Sequence, residues 1–239
     1  MKKNFRNLRV NFAACHRVID DVSSLKRIGA GHDGVVYFDG DYAIKIFKGD
    51  IDTLLKKDLM TYRKALLFSK MNLKRIISPI DVLLNDDGVY CGYPMKYIDC
   101  DSSKSMYDYS CDLLVNSIYD LQSDFANLSS RGLEAIDINM GSYLLDSSDF
   151  LYLCDADKYK EVAKDTVRDR NISHLNYAIA RFLGTKMFPD LVKDRNDYVK
   201  KSSNNRLYLN GIERQIVNGG YSSVGEYLDD VRGTLIKKR

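Results

Sequence analysis

Apolar side chains at Val35 and Tyr37, and then at Tyr42, Ile44 and Ile46, alternate with their neighbours over two short runs. A period of two places one set of side chains on one face of a strand. Asp39-Gly40 between the runs is hairpin-turn chemistry, so a β-turn-β unit is predicted there. A second hairpin is predicted where Tyr143-Leu144-Leu145 and Phe150 to Leu153 flank the turn around Asp146-Ser147-Ser148-Asp149. Elsewhere the apolar spacing lengthens to three and four residues. Leu114, Ile118, Leu121, Phe125 and Leu128 form one stripe, which predicts a helix with a single buried face. Leu54 to Met71 reads as another helix. Ser173 is placed to cap a helix carrying Leu175, Ile179, Phe182 and Leu183 on one face and ended by Gly184 and Pro189. Near the end, Ser223-Val224-Gly225-Glu226 matches a capping box ahead of a stripe of Val224, Leu228, Val231 and Leu235.

Just before the first strand pair, Gly29, Gly31 and Gly34 are spaced as G-x-G-x-x-G. Positions without side chains let a bent backbone approach phosphate oxygens and turn N–H groups toward them. In a dinucleotide-binding fingerprint these glycines would open a helix, with an acid about 20 residues further on. Here a second strand follows at once, which excludes that reading. Lys45, on the second strand, supplies a cation within reach of a bound phosphate.

Composition narrows the possibilities. At 239 residues and 45% hydrophobic, the chain can bury a sizeable core and suits one two-lobed domain. A net charge of +3, with basic residues scattered and short basic ends at Lys2-Lys3 and Lys237-Lys238-Arg239, gives no case for a nucleic-acid partner. Cys15, Cys91, Cys100, Cys111 and Cys154 are odd in number and lack C-x-x-C spacing. That argues against a zinc site or a disulfide framework and for reduced thiols in the cytosol. Arg6, Arg9 and Asn11 interrupt the N-terminal apolar residues, and no run of about 18 apolar residues occurs. No membrane association is therefore expected and a cytoplasmic location is, although delivery into a host cell by a secretion system would leave no mark in such a sequence.

Four stretches together resemble the protein kinases. They are R-I-G-A-G-H-D-G-V-V-Y-F-D-G-D-Y-A-I-K from Arg27 to Lys45, V-Y-C-G-Y-P-M-K-Y-I from Val89 to Ile98, L-S-S-R-G-L-E-A-I-D-I-N-M-G-S-Y-L-L from Leu128 to Leu145, and L-Y-L-C-D-A-D from Leu151 to Asp157. The resemblance implies an α+β, two-lobed protein-kinase-like fold. Residues 1–97 would form an antiparallel β N-lobe, and 98–239 a mainly helical, minimal C-lobe. It implies ATP and Mg²⁺ as cofactors. Gly29, Ala30, Gly31 and Gly34 would then cover the phosphates and Lys45 would fix them, while Val36, Ala43, Met95 and Tyr97 would complete the cofactor-binding set, Met95 as gatekeeper and the backbone of Lys96 to Ile98 reading adenine. Asp137 would orient the acceptor hydroxyl, and Asp155, eighteen positions later, would hold metal.

Departures from the family pattern bear on function. No glutamate occurs between Leu54 and Met71, where the family places the acid that pairs with the lysine, and Asp58 is the one acid there. Ser142 stands at the metal-binding asparagine position, Asn139 where many members have lysine, and Ala135-Ile136 replace the histidine and arginine before the catalytic aspartate. Asp157 replaces the glycine of D-F-G and offers a second carboxylate, so Asp155, Asp157 and Ser142 form the implied metal set. The charged stretch Lys158 to Arg170 is followed by no A-P-E motif. The resemblance thus implies an ATP- and Mg²⁺-dependent phosphotransferase acting on a protein Ser/Thr hydroxyl in preference to a small molecule. The alternatives are a small-molecule kinase of the aminoglycoside or sugar phosphotransferase type and a nucleotide-binding pseudokinase.

Overall fold

The computed structural model describes residues 7–49, 51–56, 59–100, 111–138 and 142–182. The chain divides into two compact units: Met1–Leu73 with Ile77–Ile98 and Asp155–Tyr159, and Lys74–Ile76 with Asp99–Cys154 and Lys160–Arg239.

The first unit is built on a seven-stranded sheet. Its strands are β1 (Val10–Phe12), β2 (Val18–Ile19), β3 (Lys26–Ala30), β4 (Gly34–Phe38), β5 (Tyr42–Phe47), β6 (Leu83–Asn85) and β7 (Tyr90–Lys96). They lie in the order β2-β1-β6-β7-β5-β4-β3, every pair antiparallel. The β4–β5 turn forms where Asp39-Gly40 predicts it. Asp39 Oδ1 accepts hydrogen bonds from the backbone N–H groups of Asp41 (3.0 Å) and Tyr42 (2.7 Å). Gly40 sits at φ 101°, a conformation that side chains resist.

On one face of the sheet, Val35, Tyr37, Ile44 and Ile46 pack with Val10, Phe12, Ile19, Val22 and Leu83 into a buried cluster. Each large apolar side chain buried this way contributes roughly 1.5–3 kcal/mol. On the other face, cross-strand register sets Val36 opposite Lys45 and Lys45 opposite Tyr93, with Ala43 between Phe38 and Met95. Tyr42 apart, β5 is buried along its whole length. Lys45 is a core lysine, 8% exposed.

The helix expected from Leu54 to Met71 is interrupted. It appears as α1 (Ile51–Lys56) and α2 (Tyr62–Ser69), and Asp58 lies outside the described residues. Two local contacts explain the break. The Leu59 N–H donates to the Leu54 carbonyl, closing α1, and Thr61 Oγ1 accepts from the Lys64 N–H as the N-cap of α2. α2 buries Lys64, Ala65 and Phe68.

In the second unit, α3 (Cys111–Ser130) buries Ile118, Leu121, Phe125 and Leu128 of the stripe read from the sequence, and the side chain of Leu114 lies outside the described ones. Gly132, at φ 71°, ends it and leads to β8 (Leu133–Glu134). The second predicted hairpin forms as β9 (Tyr143–Leu145) and β10 (Leu151–Leu153). Asp146 Oδ1 accepts from the Ser148 and Phe150 N–H groups and so builds its turn. β11 (Lys160–Glu161) pairs with β8.

α4 runs Lys164–Phe182, so Ser173 lies inside a helix and does not cap one. The start was missed because the buried positions Val167, Asn171 and Leu175 include a polar residue, which breaks the apolar pattern. Asn171 earns its burial: its amide donates to the Leu133 carbonyl (2.8 Å) and Ser129 Oγ (2.9 Å), and its oxygen accepts from the Ala135 N–H (2.8 Å). The expected helix end at Gly184 and Pro189 and the capping box at Ser223 lie outside the described residues. Among the described residues no helix is long and apolar enough to cross a membrane, and Cys15, Cys91, Cys100 and Cys154 form no disulfide.

Candidate nucleotide site

Register brings most of the implied nucleotide-binding residues to one face of the first unit's sheet. Gly29 is opposite Val36, Val36 opposite Lys45, and Ala43 opposite Met95. Residues paired across antiparallel strands share a face, so Gly29, Val36, Ala43, Lys45 and Met95 lie side by side. Phe38 belongs to the same face, and its ring lies 4.2 Å from that of Tyr97. Phe38 went unnoticed in the sequence because its role depends on the partner strand.

Between β3 and β4 the loop closes on itself. The Gly31 N–H donates to the Gly34 carbonyl at 3.0 Å, and Lys48 donates from its backbone to Asp33 O and from its amine to Gly31 O. A Cβ on Gly34 would come within 2.9 Å of the Ile46 carbonyl oxygen, so packing alone demands glycine there. A Cβ on Gly31 would meet nothing within 4 Å. The fold therefore gives no steric reason for glycine at 31. Ala30 ends β3 next to this loop.

Lys45, Asp155 and Asp157, far apart in the chain, come together. The Lys45 ammonium donates to Asp155 Oδ1 at 3.0 Å and to Asp157 Oδ2. The two acids sit differently. The Asp155 side chain is 59% exposed and that of Asp157 only 8%. Asp155 precedes a short 3-10 turn, Ala156–Lys158, from the left-handed region (φ 67°) and makes no side-chain capping hydrogen bond to it. Tyr93, missed by sequence reasoning, donates its hydroxyl to Asp157 Oδ1 at 2.5 Å. Lys64, also missed, is 2% exposed, and its amine reaches the carbonyls of Leu59 (3.2 Å) and Asp157 (3.5 Å).

Burial pulls the Lys45 ammonium toward losing its proton, but the charges of Asp157 and then Asp155 more than offset this, and its pKa is raised. Burial, and next the Asp157 charge, push the Tyr93 hydroxyl well above its ordinary value. In the unfolded chain these groups titrate near 10.5 and 10.0. The folded chain keeps both protons longer. Their contribution to stability is therefore complete below pH 10 and is lost as pH rises through the folded values. We expect the melting temperature to fall steadily above pH 10, and Tyr93→Phe to make that fall shallower. A melting curve series as steep in Tyr93→Phe as in the parent would contradict this assignment.

An implied Mg²⁺ can be tested against the donors present. Among the described residues no three His, Cys, Asp or Glu side chains cluster to hold a metal ion unaided. Mg²⁺ does not require that, since it is commonly held by one or two carboxylates plus substrate phosphates. Asp155 fits such a role: it is an exposed carboxylate whose Oδ2 takes no hydrogen bond among the described residues.

In the second unit, Asp137 is exposed and in the left-handed region at φ 59°. Non-glycine residues in that region often mark functional positions, because the fold must hold them there at a cost of order 1–3 kcal/mol. Ser142 is 1% exposed, and its carbonyl accepts the Cys154 N–H at 2.8 Å. Asn139 lies outside the described residues.

An antiparallel sheet with a buried, acid-paired lysine, and a second unit of helices and two-stranded sheets, define a protein-kinase-like α+β fold. The kinase domain of PknI from Mycobacterium tuberculosis, known from a crystal structure, is similar to it, with a TM-score of 0.50 at 18% identity over 72% of this chain and 80% of that one. That likeness is one of fold. By sequence, no protein-family model and no curated protein matches the chain.

Proposed function

We propose that this chain is an ATP- and Mg²⁺-dependent phosphotransferase, acting on a protein Ser/Thr hydroxyl in preference to a small molecule. The observation that carries the reading is the buried Lys45, paired with acids on a sheet face it shares with Gly29, Val36, Ala43 and Met95. A lone lysine costs too much to bury without a purpose or a partner. Here the partners hold it protonated, as phosphate binding requires. The fold likeness to a protein kinase domain favours a protein acceptor.

ATP with Mg²⁺ supplies the phosphoryl group and neutralises its charge. The chain's own residues do the rest. Gly31 leaves room at the loop for phosphate oxygens, Lys45 fixes them, and Asp155, with Ser142, provides hard oxygen donors. Asp137 orients the acceptor hydroxyl and takes its proton as the oxygen bonds to the γ-phosphorus and ADP leaves. Positioning and charge stabilisation carry most of the catalysis in such a site.

A ligand selective for the folded state stabilises it by about 2.7 kcal/mol at a hundredfold excess over Kd. ATP with Mg²⁺ should accordingly raise the melting temperature by several degrees, and Lys45→Met should remove most of that rise. Phosphate transfer from labelled ATP to a Ser/Thr peptide library then tests the activity. The burial of Ser142 at the metal-amide position favours one other reading, a pseudokinase. It predicts the thermal shift without transfer. No shift at millimolar nucleotide would defeat both.

A further inference from the structure

We propose that Asp157 is the residue that positions Lys45, taking the task that the resemblance assigned to a helix acid, and that it does so from the same 3-10 turn that presents Asp155. This rests on the nucleotide-binding reading of Lys45. The helix that packs here brings a cation: α2 buries Lys64, whose amine lies on the backbone carbonyl of Asp157. Lys45 therefore takes its charge partners from Asp155 and Asp157.

The geometry separates the two carboxylates by role. Both oxygens of Asp157 are occupied by protein donors, Oδ2 by Lys45 and Oδ1 by the Tyr93 hydroxyl at 2.5 Å. A cation could bind Asp157 only by displacing a buried lysine or a buried tyrosine, each of which would lose a partner inside the protein. Asp155 is open to solvent and spends one oxygen on Lys45. Metal chemistry thus belongs to Asp155 and lysine anchoring to Asp157.

The anchor is also braced. Tyr93 stands opposite Lys45 in the β5–β7 register, so one pair of strands fixes both the lysine and the hydroxyl that orients its acid. Tyr159, two residues beyond Asp157, is 1% exposed and packs on Phe68 of α2, ring centroids 6.2 Å apart. Anchor and metal acid are two residues apart on one turn, so they are set or lost together.

Two measurements on the full chain test this. Without nucleotide, melting temperatures are compared for the parent, Lys45→Met, Asp157→Asn and the double variant. Lys45→Met strands the buried Asp157 carboxylate, and Asp157→Asn leaves the buried Lys45 with Asp155 alone, so the double variant should lose much less than the sum of the two losses. Additive losses would overturn the pairing. With nucleotide, Asp157→Asn should weaken ATP binding by ~10- to 100-fold, leave the Mg²⁺ concentration for half-maximal binding unchanged, and have no further effect in the Lys45→Met background. A raised Mg²⁺ requirement, or an equal effect in that background, would make Asp157 a metal ligand and overturn the proposal. Should Asp157→Asn fold poorly, Tyr93→Phe, which removes one hydroxyl, should weaken ATP binding several-fold through the same route and be silent in Lys45→Met. If the parent binds no nucleotide, the nucleotide reading fails, and with it this proposal, whatever the melting temperatures show of the pair.

Discussion

Asp137→Ala should lower phosphoryl transfer by about 10²–10⁴-fold, the usual range for a positioned acid or base, while nucleotide affinity stays near that of the parent. In the proposed mechanism Asp137 acts on the acceptor and has no task in holding ATP. Its loop is fixed from elsewhere. Ala135, two residues before it, is tied by its N–H to the buried Asn171, and the backbone at Asp137 is held at φ 59°. Alanine tolerates that conformation less well than aspartate, a local cost of roughly 1–2 kcal/mol that falls on an exposed residue and leaves the core alone. Asp155→Ala should behave differently and weaken Mg²⁺-dependent nucleotide binding as well, because its exposed carboxylate is the one suited to metal. Rapid-quench transfer assays beside nucleotide titrations with and without Mg²⁺ separate the two. Equal loss of metal-dependent binding in both variants would mean that the roles are assigned wrongly.

What the sequence revealed was local in origin. The Asp39-Gly40 hairpin, the Asp146 turn and the α3 stripe each depend on residues within a few positions of one another, and each formed where expected. The break between α1 and α2 depends on one backbone contact from Leu59 to Leu54 and one side-chain cap at Thr61, too weak a signal against an otherwise helical composition. The start of α4 was hidden by a buried asparagine whose three partners come from α3, β8 and the segment after it. At the candidate site, the motif order named Lys45 and Asp155, which the fold brings within 3.0 Å of each other. It gave no sign of Tyr93 or Lys64, which lie 64 and 93 positions from Asp157 in the chain and join it only through packing. Asp157 was legible as an acid of the implied metal set and its ion pair with Lys45 was not, because a carboxylate that binds metal and one that pairs with a lysine look the same in one dimension.

Two glycines that look alike in the sequence should respond in opposite ways to alanine. At Gly92 on β7, a Cβ would lie 2.1 Å from the Lys45 carbonyl oxygen, 3.1 Å from its carbon and 3.2 Å from the Ile46 Cα. All three are backbone atoms in the interior of the sheet, so relief requires β5 and β7 to part. Overpacking of a well-filled interior costs about 1–3 kcal/mol and occasionally more, and a clash this close with paired backbone belongs at or beyond the upper end. For a domain of this size each kcal/mol moves the melting temperature by roughly 2–4 °C, so Gly92→Ala should lower it by about 6–12 °C. Because the displaced strand carries Lys45, the variant should also lose much of its stabilisation by ATP. At Gly31 the fold leaves a Cβ unopposed, and the melting temperature of Gly31→Ala should match the parent's within about a degree, while its nucleotide-induced rise shrinks because the added methyl occupies space needed by phosphate. Thermal melts of both variants with and without ATP and Mg²⁺ decide the matter. An undiminished nucleotide response in Gly31→Ala would show that the loop does not approach the phosphates at that residue.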